Sequence, residues 1–195
     1  MNAAARLQLM SVEDYLAGEE LAQRKHEYVD GLIYAMAGGT YAHNLIASNV
    51  LGHLHGQLRG MPCRALNSDT KIRTQQGSRT KFYYPDVSVV CGQNRLDGVY
   101  QDKPSVVVEV LSTSTQRIDE GEKLDAYLSI ATLSAYILLR QDSAAGTVYR
   151  REGQSFLREI YTGDAAILLP EIDAELSLVE VYAEVELSME HSEED

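Results

Sequence analysis

Between residues 41 and 58 the apolar side chains recur at helical spacing. Ala47, Val50, Leu51, Leu54 and Leu58 line one stripe, and Gly60 with Pro62 ends the pattern. A capping pattern at 11–14 (Ser-Val-Glu-Asp) predicts a short helix through Leu16. Elsewhere the hydrophobic positions fall in short runs bounded by turn residues, which is the mark of strands. Two runs within 26–36 are joined by Asp30-Gly31, a dipeptide that predicts a tight N-terminal β-hairpin. Residues 63–75 and 82–91 read as strands separated by the polar loop 75–80. Residues 104–111 and 135–139 read as strands buried on both faces, and 147–151 with 156–161 as a late hairpin. Ser and Thr at 112–115 offer N-caps for a helix over 116–130, and Ser177 opens a terminal helix. A helix between two doubly buried strands implies a parallel βαβ crossover. The pattern predicts an α/β (or α+β) fold, a mixed sheet with flanking helices, in a single domain over 1–195.

Composition narrows the class. A chain of 195 residues supports one sizeable core. No apolar run approaches the roughly 18 residues of a membrane span, and no charged-then-apolar leader pattern opens the chain. A cytoplasmic location without membrane contact is therefore expected. Cys63 and Cys91 are too few for a disulfide framework and read as reduced core residues. The net charge of −12 speaks against nucleic acid until its distribution is considered. Residues 159–195 hold 12 acids and no Lys or Arg, which leaves 17 of each sign in the first 158. Residues 186–195 read as a solvating acidic tail. Within 64–81, Arg64, Lys71, Arg73, Arg79 and Lys81 face a single acid, Asp69, and form a basic stripe able to contact phosphate. A solvated hairpin is the plainer reading of that stripe.

The chemistry concentrates on two carboxylates. Glu109 lies inside the Val-rich run 104–112, and by strand alternation its same-face neighbours are Val107 and Leu111. Burying an ionised carboxylate there costs several kcal/mol unless a cation or dense hydrogen bonding compensates. Asp86 follows Pro85 at the start of another apolar strand, where an Asp is often turn chemistry alone. If the strands are neighbours the two carboxylates repel, and a divalent metal is the simplest means of keeping both ionised. His43 extends the inward stripe of the long helix by one turn and reads first as a hydrogen-bonding His. Asp69, set to pair with Lys71 or Arg73, is a weaker site candidate. Ser112 and Thr113 read as helix caps. The chain shows neither a zinc-spaced His/Cys cluster nor a Gly-rich phosphate loop.

Three segments, Tyr-Pro-Asp-Val-Ser-Val-Val at 84–90, Val-Glu-Val-Leu-Ser-Thr-Ser-Thr at 108–115 and Asp-Glu-Gly-Glu-Lys-Leu-Asp-Ala-Tyr at 119–127, resemble the Uma2 family. Glu-Tyr-Val-Asp-Gly at 27–31 is similar to that family's early hairpin, and His43 to a His opening its long helix. The matches cover about 10–185 in the family's order. Uma2 is a bacterial group assigned to the endonucleases of the PD-(D/E)XK superfamily. The resemblance implies a restriction-endonuclease-like central mixed β-sheet flanked by helices. It also implies Mg²⁺- or Mn²⁺-dependent cleavage of DNA phosphodiester bonds. It places Asp86 and Glu109 as metal ligands with the carbonyl of Val110, Lys123 as the catalytic ammonium, and Glu27 as a third acidic contributor. Lys71, Arg73, Arg79 and Lys81 become the candidate DNA contacts. A two-fold homodimer is the natural expectation, because cutting both strands takes two sites. The superfamily's Lys two residues after the Glu is Leu111 here, so the ammonium must come from the helix through Lys123. That departure leaves a second reading: a nuclease-fold nucleic-acid-binding or regulatory protein without turnover.

Overall fold

A computed structural model of the chain describes residues 9–92, 97–112 and 116–187. The cap candidates at 113–115 and the tail beyond 187 lie outside the described residues. Helix α1 (Val12–Leu21) begins at Ser11, whose hydroxyl accepts from the Asp14 N–H, and runs past the predicted stop at Leu16. The hairpin β1 (His26–Val29) and β2 (Leu32–Ala35) turns at Asp30 and Gly31, with φ of 51° and 98°. Two positive φ values in succession are what a tight hairpin turn requires, hence Asp-Gly. Helix α2 (Tyr41–Gln57) starts at Thr40, whose Oγ1 accepts from the His43 N–H.

The two strands expected at 63–75 and 82–91 are four. Strands β3 (Cys63–Asn67) and β4 (Lys71–Gln76) are separated by a turn in which Asn67 Oδ1 and its carbonyl accept from Asp69 and Thr70. Strands β5 (Arg79–Tyr83) and β6 (Val87–Cys91) are separated at Tyr84–Pro85–Asp86, where Pro85 has no N–H to give a ladder. Each break lets the chain change sheets. The remaining elements are β7 (Tyr100–Gln101), β8 (Pro104–Val110), α3 (Gln116–Asp119), α4 (Glu122–Leu128), β9 (Ala135–Leu139), β10 (Ala145–Glu152), β11 (Ser155–Thr162), β12 (Ala166–Leu169), β13 (Ala174–Ser177) and α5 (Leu178–Val181). The helix expected over 116–130 is thus two short ones, parted at Gly121. The β12–β13 pair falls where no strand was expected.

The fold is mixed α+β. Its central sheet has the order β11-β10-β9-β8-β6-β3 and is antiparallel except for β8 with β9, the pair joined by α3 and α4 as the crossover pattern requires. A second sheet has the order β2-β1-β5-β4-β7. Strand β8 divides the interior. Val106, Val108 and Val110 face one core with Ile46, Val50 and Leu54 of α2 and Leu178 and Val181 of α5. Val107 and Leu111 face the other, where Ala126 and Tyr127 of α4 meet Ile72 and Tyr83 of the second sheet. Tyr15, Tyr28 and Phe82 form a third, smaller cluster under α1.

The cysteines depart from expectation. Cys63 and Cys91 stand directly opposite across the β3–β6 pair and are joined as a disulfide, because that register puts both sulfurs on one face. No helix among the described residues is long and apolar enough to cross a membrane.

Candidate active site

The register Val87↔Val108 brings Asp86, one residue before β6, alongside Glu109 on β8. Tyr83 and Val29 both lie on the second-sheet face that meets α4, and alternation puts Glu27 on that face with Val29. Four elements therefore deliver Glu27, Asp86, Glu109 and Lys123 to one place, and α2 adds His43.

Lys123 is the hub. Its Nζ lies 3.0 Å from Glu27 Oε1, 3.2 Å from Glu109 Oε1 and 3.3 Å from Asp119 Oδ1, and only 6 % of the residue is exposed. Burial disfavours the ammonium, yet the three carboxylates outweigh it and hold the pKa above that of an ordinary lysine. Glu109 also accepts from the Tyr127 hydroxyl at 3.3 Å. Its pKa is pushed well above the carboxylate range, first by burial; Lys123 opposes the rise, while Asp86, Asp119 and Glu27 add to it. Glu27 Oε1 and Asp119 Oδ1 have no directed hydrogen bond and meet the ammonium as ion pairs.

Asp86 is held from two sides. Its Oδ2 accepts from the Val110 N–H at 2.7 Å, and its Oδ1 lies 3.0 Å from His43 Nε2. The bond to Asp86 is the main reason that the His43 pKa is raised, against the effect of burial. The side chains of Glu27, His43 and Asp86 keep 15–17 % exposure, whereas Glu109, Asp119 and Lys123 keep 3–8 %. The first three form a rim open to solvent and the last three a floor.

The charges do not balance. Four carboxyl groups face one ammonium and one His. An all-oxygen donor set with excess negative charge fits Mg²⁺ or Mn²⁺. Among the described residues no group of three or more His, Cys, Asp or Glu is placed to hold a metal ion by itself. Mg²⁺ does not require one, since it keeps several waters and is held by one or two carboxylates plus substrate phosphate.

Of the sequence candidates, Glu27, His43, Asp86, Glu109, Val110 and Lys123 come together. Asp69 does not join them: it sits in the exposed turn before β4 and pairs with Lys25 at 2.6 Å, not with Lys71 or Arg73. The basic stripe divides, because Lys81 opposes Thr74 while Arg73 opposes Phe82, on the other face. Lys71 is buried above the Tyr84 ring and Arg73 is tied to Asp102 at 2.6 Å. Lys81 lies 3.5 Å from Glu122, and Arg79 is exposed at the hairpin end. Sequence reasoning missed Asp119, whose signal was its place four residues before Lys123. It also did not single out Tyr127, whose hydroxyl donates to Glu109.

The profile of the Uma2 family, described as "Putative restriction endonuclease", matches residues 12–185. The chain belongs to the Uma2 family. Two proteins of Synechocystis are similar to the chain. The uncharacterized protein slr1290 of Synechocystis is 38 % identical over 73 % of this chain and 74 % of its own length. A second Synechocystis protein, sll1609, also uncharacterized, is 28 % identical over 86 % of this chain and 96 % of its own. A crystal structure from Anabaena variabilis, titled as a putative nuclease belonging to DUF820, superposes with a TM-score of 0.68. It covers 89 % of this chain and 97 % of its own, at 18 % identity, and so establishes the shared fold.

Proposed function

We propose that this Uma2 protein is a Mg²⁺- or Mn²⁺-dependent endonuclease hydrolysing DNA phosphodiester bonds, acting as a homodimer. The observation that carries the reading is Lys123 Nζ at 3.2 Å from Glu109. It supplies from α4 the ammonium missing at Leu111, which is instead buried in the core. Asp86 and Glu109, with the Val110 carbonyl, would hold the cation. When bound, the cation polarises a phosphoryl oxygen and makes water a better nucleophile. Lys123 stabilises negative charge gathering on the phosphate, in a floor dry enough for that charge to count. Tyr127 and Lys123 fix the Glu109 carboxylate, while His43 and the Val110 N–H fix Asp86, so the two stay oriented without substrate. Glu27 and Asp119 keep the ammonium charged and anchored.

Incubation of supercoiled plasmid with the chain and Mn²⁺ should give nicked and linear products. Glu109→Gln should reduce the rate by at least about 100-fold with the fold intact by circular dichroism. Equal cleavage by the two proteins would end the reading. DNA retention without cleavage or metal binding would favour the binding protein that Leu111 suggests.

A further inference from the structure

Resting on the nuclease reading, we infer that the groove between α2 and the edge strand β3 is the track for the sugar–phosphate backbone of double-stranded DNA beside the scissile bond.

Two adjoining hollows, of about 500 and 230 Å³, share His55 and Ala65 and run along this seam. One end is walled by Ser48 and Asn67. Asn67 opposes Val87, the residue after Asp86, and Ser48 lies five residues beyond His43, which bonds Asp86. This end of the groove thus lies one strand from Asp86 and about one and a half helical turns from His43, on the α2 face of the central sheet, with Glu109 and Lys123 on the other face. Its other end is walled by Arg59 and Arg64. From Ser48 to the end of α2 at Gln57 the helix wall spans about 14 Å at the helical rise.

Charge identifies the occupant. Nothing lining either hollow is acidic. Residues 31–68, which build both walls, contain no Asp or Glu, although at the chain's frequency of 29 in 195 about six would fall there. Core packing does not explain the gap, because the exposed positions of α2 and the loop after it, Tyr41, Asn44, Ser48, His55 and Arg59 among them, are also free of acid. Asp69, just beyond the strand wall, is neutralised by Lys25. On a protein of net charge −12, a face cleared of carboxylates and ending in two exposed arginines suits a polyanion. Gly52 and Gly56 leave open space where a Cβ would stand, so the helix wall is flat enough for a backbone to lie close. This surface is separate from the hairpin stripe at 71–81.

The test is salt-dependent binding of a fluorescein-labelled DNA duplex in chelator, where affinity is read without cleavage. Each phosphate contact contributes about 0.9 to the slope of log K against log salt concentration. Arg59→Ala with Arg64→Ala should lower the slope by about 1.8, whereas the two Arg→Lys changes should keep it. Gly52→Glu, placed in open space, should weaken binding, while Gly18→Glu on α1 and Arg158→Ala on β11 should not. An unchanged slope in the double variant, with plasmid cleavage by the unmodified chain intact, overturns the groove and leaves the nuclease reading standing. Absence of both salt-dependent affinity and cleavage in the unmodified chain overturns both.

Discussion

Replacing Lys123 by methionine keeps most of the side-chain volume and removes the ammonium set 3.0, 3.2 and 3.3 Å from Glu27, Glu109 and Asp119. At these separations each attraction is about 5 kcal/mol gross for an effective dielectric near 20. Much of that is offset by the desolvation of Lys123 and by repulsion among the carboxylates. The expected net loss is that of a broken buried ion pair, about 3–5 kcal/mol at neutral pH. Its pH dependence has a definite sign. Burial already raises the Glu109 pKa, and the Lys123 ammonium pulls it down. Without the ammonium the folded state holds its carboxyl protons to still higher pH than the unfolded chain does. Stability of the variant must then fall as pH rises from the ordinary carboxylate value through the raised one. Urea unfolding of both proteins at about pH 5 and about pH 7.5 measures this. The gap should reach about 3–5 kcal/mol at the higher pH and shrink at the lower. A gap below about 1 kcal/mol at pH 7.5, or one that fails to shrink, would refute the view of Lys123 as the counter-charge of the cluster.

Three further outcomes follow from particular contacts. A Cβ on Gly39 would stand 2.6 Å from His43 Cδ2, so Gly39→Ala should displace the ring and break its bond to Asp86. Nitrogen chemical shifts of His43 would record this, and cleavage should fall more than thermal stability does. Lys71 is buried, and burial lowers its pKa; Lys71→Met should therefore be at least as stable at neutral pH, with the advantage shrinking as pH rises towards 10.5, where the unfolded lysine also loses its proton. Urea melts across that range would show a widening gap if the reasoning were wrong. The Cys63–Cys91 bridge closes a loop with a separation of 28 residues, so a reductant should lower stability by about 3.5 kcal/mol. Unfolding with and without dithiothreitol checks it, together with the mass change of alkylated protein.

What the sequence made legible was local. Val107 and Leu111 flank Glu109 in a strict period of two, and that alternation put the carboxylate on the face where Tyr127 and Lys123 meet it. Asp30-Gly31 announced its hairpin through the two positive φ values it had to supply. The division into two sheets was hidden, because Asn67–Asp69 and Pro85 mark local breaks without revealing that the chain changes sheets at each of them. The basic stripe splits for another reason: the β4–β5 register puts Lys71 and Arg73 on one face of the second sheet and Arg79 and Lys81 on the other. Asp119 escaped notice because it reads as a polar helix residue until α3 and α4, parted at Gly121, fold it over Lys123.

The central claim is that Asp86 and Glu109 share a divalent cation while Lys123 stands beside it. Crystals of the unmodified chain soaked in Mn²⁺ and measured at the manganese absorption edge test this most directly. The expected result is one anomalous peak bonded to oxygens of both carboxylates, with Lys123 still at Glu109. A saturating soak that leaves no peak at those carboxylates, or one that puts manganese elsewhere on the chain, would contradict it.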